Sequence, residues 1–274
     1  VTVSSKQILA ISLPIALAIM VPQVNFVINN IFLGALSSEA LAIGGITGVF
    51  YLIFGVMGQG LNNGLQALIS RRAGENRVDE IGVLFNQGVI ISILLSIIAI
   101  AFTYFIAPSI FHSVLHDSQR ANNVIEFLKI RIWGIPFLFI YQMRNALLVG
   151  TNQSKFLIIG TATEAAFNIF FDYSLIFGHF GFTAMGLNGA AYASIISEVM
   201  GLFVIYLVIH YQKIGARFEL FKNFEIKWDY IKLIFVQSSP IMMQYMISII
   251  SWEIFYILIE QRGEQSLAVS NSMR

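Results

Sequence analysis

Long apolar runs, broken at intervals by short polar and basic segments, set the organisation of this chain. Runs at 8–33, 42–69, 81–107, 125–150, 156–178, 186–210 and 231–259 each hold the roughly 20 apolar residues that a helix needs to cross about 30 Å of hydrocarbon. They lack the period-two alternation of barrel strands, and helices are the other structure that satisfies every backbone group in lipid. The pattern predicts an all-α polytopic membrane protein with seven spans and the start of an eighth near Leu267, seven residues before Arg274. The first run is too long for a signal-peptide core and lacks a small-residue cleavage pattern, so it reads as a retained span. A chain that starts at Val1 rather than Met reads as a piece of a longer protein.

The polar positions inside the runs carry the functional information. Glu164, Asn168 and Asp172 follow one another at four-residue steps, so on a helix they share one face. A charge at bilayer depth costs about 2.5–3.5 kcal/mol on the insertion scale. Two carboxylates on one stripe therefore point to a cation path. By rise per residue, Asp172 lies about 9 Å, Ser194 about 12 Å and Asn29 about 6 Å from one end of their spans, with Asn168 one turn deeper than Asp172. Carboxylate, amide and hydroxyl oxygens suit a hard cation, and a desolvated carboxyl suits a proton. Asn168 or Ser194 taken singly is equally a bond between neighbouring helices.

Other polar groups are less decisive. Arg144 lies at a depth that suits pairing with Glu164 across a short turn, whereas Glu198 has no obvious basic partner, and Glu253 stands ungrouped. Gln59, Asn62, Asn63 and Gln66, beside Gly60 and Gly64, recur at helical spacing and either line a wet cavity or bond between helices. Gly189, Ala193, Ser197 and Gly201 form a small-residue ridge that lets another helix come close. Pro14 and Pro22 each remove a backbone hydrogen bond and make the first span a candidate hinge.

Basic residues orient the chain. Lys6, Arg71, Arg72, Arg77, Lys155 and the group Lys213, Arg217, Lys222, Lys227 and Lys232 fall on one side, which predicts a cytoplasmic N-terminus in a plasma membrane, a bacterial inner membrane by preference. The connection 211–232 carries Phe218, Phe221, Phe224 and Trp228 among its cations and reads as a loop with interfacial aromatics or, less simply, as a segment resting on the membrane surface.

Composition narrows the classes further. Hydrophobic residues are 57% of the chain and charged ones 11%, against about 25% charged in soluble domains. A net charge of +1 argues against a nucleic-acid partner, and the absence of cysteine excludes disulfides and thiolate metal sites. No HExxH, GxSxG, Walker or kinase set occurs, which argues against an enzyme. His112 and His116 have metal-compatible spacing but no third ligand beside them and read as surface loop. No cofactor is implied beyond a transported Na+ or H+. The partners expected are small organic substrates and the lipid bilayer, with no oligomer required.

FLKIRIWGIPFLFIYQMRNALLVGTNQSK from Phe127, then NIFFDYSLIFGHFGF and MGLNGAAYASIIS, resemble the multidrug and toxic compound extrusion (MATE) family of secondary transporters. LPIALAIM, FLGALSSEALA and GVMGQGLNNGLQALISRRAGE extend the resemblance over nearly the whole chain. It implies a six-helix lobe at 1–212, a cytoplasmic interlobe connection at 213–230 and the start of a second lobe at 231–274. It also implies exchange of Na+ or H+ for organic, often cationic and amphipathic, compounds. Asn168 and Asp172 match the family's cation-site residues, Ser194 stands where threonine is usual, and Pro14 matches its bending proline. Asn29 replaces a frequent aspartate, and Ser248 occupies a position that is glutamate in another branch, with Glu253 displaced from it. Coupling is thereby expected to lean on Asp172, Glu164 and Glu198. The rival readings are a flippase for lipid-linked saccharides with the same overall fold, and a membrane scaffold that does not transport.

Overall fold

The computed structural model describes residues 5–115, 117–221 and 225–260, with the side chains of Pro22, Glu253 and some of their neighbours outside the described set. The expected eighth span near Leu267, His116, Lys222 and Phe224 likewise lie outside the described residues. Among the described residues the chain is helical, with no strand.

In chain order the α-helices are α1 (Ser5–Leu36), α2 (Ser38–Gly74), α3 (Val78–Phe105), α4 (Ala107–Val114), α5 (Ser118–Arg131), α6 (Ile135–Gly150), α7 (Leu157–Phe177), α8 (Leu187–Tyr211), α9 (Ile214–Arg217) and α10 (Trp228–Glu260). α2, α3, α8 and the Trp228–Ser251 part of α10 are long and apolar enough to cross a membrane. The expected fourth span is two helices, α5 and α6, joined through a 3₁₀ turn at Ile132–Gly134. α7, interrupted by Glu164, Asn168 and Asp172, lacks an unbroken apolar stretch of that kind.

Local chemistry sets the boundaries. Ser37 caps α2 by accepting a hydrogen bond from the Ala40 amide at 2.9 Å, which breaks the chain between α1 and α2. Gly178, at φ 77°, takes the left-handed conformation that ends α7. Beyond it the amides of Met185 and Gly186 donate to the Leu175 and Ile176 carbonyls at 2.8 and 3.2 Å, so α8 starts tied to the end of α7. α1 runs on through Pro14 as a continuous helix.

The main core cluster joins α2, α3, α6 and α8 through Leu65, Ile81, Leu84, Phe85, Met143, Leu147 and Ile205. The exterior is also apolar: Leu94, Ile97 and Ile98 on α3 are 54%, 57% and 63% exposed. Large aliphatic groups facing outward in helical register are what lipid exposure produces.

The segment after α8 is part of the helical body. Ile214, Phe218 and Leu220 are buried in the main core, while Phe221 and Trp228 are exposed. Gln87 of α3 holds the segment beyond it, donating to the Glu225 carbonyl at 2.8 Å and accepting from the Lys227 amide at 3.1 Å. The Phe221 amide donates to Asn86 at 3.2 Å. The connection thus packs on α3 through its middle and leaves only part of its aromatic set on the surface.

Candidate cation site

Two glycine contacts fix how α7 lies on α8. A side chain at Gly189 would strike the Leu175 carbonyl at 2.6 Å and the Ile176 nitrogen at 2.9 Å; one at Gly201 would meet Cβ of Glu164 at 3.1 Å. The helices are antiparallel, and the two contacts lie twelve residues apart on α8 and eleven to twelve apart on α7. In that register Ala193 lies opposite Asp172 and Ser197 opposite Asn168. The small-residue ridge of α8 therefore faces the polar stripe of α7, and close backbone approach buries that stripe. Asp172 is 0% exposed and Asn168 2%.

α1 packs on the other flank of α7. Phe32 meets the rings of Tyr173 and Phe177 at 6.4 and 6.1 Å. Asn29 and Asn25 stand about one and two turns before Phe32 on this helix packed against α7. Five side-chain oxygens on the two helices are buried without a hydrogen-bond partner: Oδ1 of Asn25, Asn29 and Asn168, and both carboxylate oxygens of Asp172. An unpaired buried amide oxygen costs about 1–3 kcal/mol, and a carboxylate more. A carboxylate with neutral amide oxygens is a ligand type suited to a hard cation, and the carboxyl itself to a proton. Towards the α1–α2 turn, Leu33, Phe127, Ile176, Ala190 and Ala191 close over the cluster with an apolar layer.

Of the expected oxygen-bearing residues, Asn168 and Asp172 are buried one turn apart on α7, and Asn29 has a buried, unpaired oxygen on α1, the helix packed on α7. Ser194 is half-buried and stands beside Ala193, at the same level of α8. Asn25 was missed by reading the sequence. Its spacing of four from Asn29 was a signal, hidden because the first span offered no charge to anchor a stripe.

The structure answers two questions of pairing left by the sequence. Arg144 does not pair with Glu164: both its terminal nitrogens donate to the Leu202 carbonyl of α8 at 2.6 Å, while Glu164 packs against neighbouring Gly201. The two side chains reach α8 at adjacent positions, and no ion pair joins them among the described residues. Glu198 does have a basic partner. Arg131, the last residue of α5, places its Nη2 2.6 Å and its Nη1 3.1 Å from the two carboxylate oxygens. Sequence distance hid this pair, since α5 and α8 are brought together only by packing. Glu253 and the histidine expectation at 116 lie outside the described side chains.

On α2, Gly60 and Gly64 press against the backbone of α10 at Met242 and Ser238. Asn63 donates to Tyr245 of α10 at 2.7 Å, and Asn62 and Gln59 both donate to Asn63 at 3.3 Å. Of the two readings for these amides, the bond between helices is the one seen at Asn63. Gln59 remains exposed and Gln66 half-buried.

The MatE family model matches residues 14–174, a stretch that includes α2 to α6 and most of α7. The chain belongs to the MatE family. Members of this family are membrane transporters rather than enzymes. A probable multidrug resistance protein NorM of Synechocystis is 27% identical over 212 residues, covering 75% of this chain and 45% of that protein. A NorM of Halalkalibacterium halodurans is 29% identical over 221 residues, covering 77% and 47%. A crystal structure of MATE in the straight conformation superposes with a TM-score of 0.86 at 21% identity, covering 97% of this chain and 59% of that one. The chain spans a little under half the length of these two curated relatives, and the structural likeness establishes the shared fold.

Proposed function

We propose that this MatE chain forms the ion-coupling half of a secondary antiporter that exports organic, cationic and amphipathic compounds against inward flow of Na+ or H+. The names of its NorM relatives, probable multidrug resistance proteins, support the export reading. The observation that carries the coupling is the set of five orphaned oxygens on α1 and α7. Asp172 binds the cation, Asn168, Asn29 and Asn25 supply neutral oxygens, and Ser194 flanks them from α8.

Ion and drug drive one another only if each prefers a different state of the transporter. α1 is the element suited to switch. It supplies two of the oxygens and carries Pro14, whose missing N–H leaves one carbonyl of the preceding turn without its helical donor. A cation shared between α1 and α7 would favour the packed state described above. The N-terminus is cytoplasmic in this reading, following the basic residues. Gln59 and Gln66, with methionine and aromatic side chains of a cavity completed by the remainder of the transporter, would contact the drug.

Asp172→Asn keeps the volume and removes the charge. In sealed vesicles with separately imposed Na+ and pH gradients, this variant is expected to insert normally and to lose ion-driven efflux at least tenfold. Efflux at the unsubstituted rate would refute the assignment.

A further inference from the structure

Arg131 is a permanent charge placed within the helical body, and the coupling mechanism above does not use it. Its side chain is 14% exposed and that of Glu198 6%. Its Nη1 also donates to the Tyr51 hydroxyl of α2 at 2.8 Å, its guanidinium lies 3.8 Å from the centre of the Tyr51 ring, and that hydroxyl donates to Glu198 at 3.2 Å. Gly134, one turn on, is bare because a side chain there would fall on the Glu198 carboxylate and on Nη1 of Arg131. Three helices and a glycine thus hold one guanidinium in a fixed orientation.

The position of this group relative to α7 gives it a further role. Glu198 follows Ser197, the residue set opposite Asn168, and stands three residues from Gly201, against which Glu164 packs. The Arg131–Glu198 pair therefore stands within one turn of α8 of the point where Glu164 packs. Arg131 touches neither of the α7 carboxyls. It acts on them through a medium of low effective dielectric, where a unit charge is weakly screened.

We infer that Arg131 is a resident counter-cation that sets the affinity of the coupling site: held by Glu198 and Tyr51 beside the α7 carboxyls, it opposes occupancy by the transported cation and so makes release possible. Glu198 shields part of that charge, and its partnership with Arg131 is what makes the opposition moderate. The inference rests on the proposed role of Asp172 and goes beyond it by naming the group that tunes the site.

The test is the half-saturating concentration of the driving cation. Uptake of ethidium by vesicles containing the protein at its full natural length is measured while Na+ and H+ are titrated separately. Arg131→Gln is expected to lower the half-saturating concentration about five- to tenfold, and Glu198→Gln to raise it by a similar factor. Arg131→Lys, which keeps the charge but loses the forked contact, should stay within about twofold. A structural role alone would make the two charge-removing variants shift in the same direction and would not be rescued by lysine; either result overturns the inference. Breaking a buried pair from one side can prevent folding. The double variant Arg131→Gln/Glu198→Gln leaves no unpaired charge and is expected within about twofold of the unsubstituted protein; a shift of tenfold or more in it overturns the inference as well. Asp172→Asn is run beside these: if it transports normally, the coupling assignment has failed, whereas its loss of coupling together with same-direction shifts at Arg131 and Glu198 condemns this inference alone.

Discussion

At the scale of single residues, cost decides meaning. Asp172 is buried with both oxygens unpaired, whereas Glu198, also buried, has two charge-assisted hydrogen bonds to Arg131. The first is left without a partner, and the proposed cation role rests on that; the second is satisfied within the protein. Gly134 shows how little room the satisfied pair leaves. Gly134→Ala is expected to destabilise the protein by about 1–3 kcal/mol, as overpacking does. The measurement is thermal unfolding in detergent, and an unchanged midpoint would show that the pair can shift aside.

At the scale of elements, the contact between α7 and α8 is the one on which the candidate site depends. Its two ends differ in stiffness. A Cβ added at Gly189 would lie 2.6–2.9 Å from backbone atoms of Leu175 and Ile176, and one added at Gly201 would lie 3.1 Å from the side chain of Glu164. Backbone in a helix yields less readily than a side chain. Gly189→Ala should therefore lower stability clearly more than Gly201→Ala, by about 1–3 kcal/mol against less than about 1 kcal/mol. Denaturant titrations of both variants under one condition would check the order, and a reversal would show the register to be wrong. α2 and α10 repeat the device at Gly60 and Gly64, where a polar bond from Asn63 to Tyr245 adds direction to close packing.

At the scale of the whole molecule, the segment between α8 and α10 is anchored to α3. Gln87 is 1% exposed and bonds the backbone on both sides of Ile226, at Glu225 and Lys227. An amide with one donor and one acceptor serves both groups at once. Gln87→Ala removes both bonds and is expected to speed amide hydrogen exchange at Lys227 about tenfold, while the α7–α8 contact keeps its protection. Mass-spectrometric exchange resolves the two regions; unchanged exchange around Lys227 would show that Phe218 and Leu220 alone hold the segment.

The helical membrane class, the polar stripe of α7 and the small-residue ridge of α8 were all set by sequence, because each is a periodicity along one chain. Apolar length decides what lipid accepts, and a four-residue step decides which side chains share a face. The partners of those faces were decided only by tertiary structure. That the ridge meets the stripe, that Arg144 takes the Leu202 carbonyl and that Arg131 takes Glu198 each depend on how helices far apart in sequence are rotated and shifted against one another. Helical spacing within a single segment carries no information about that rotation. It is settled by the sum of close contacts, such as those at Gly189, Gly201 and Gly134, that exist only once the helices are packed.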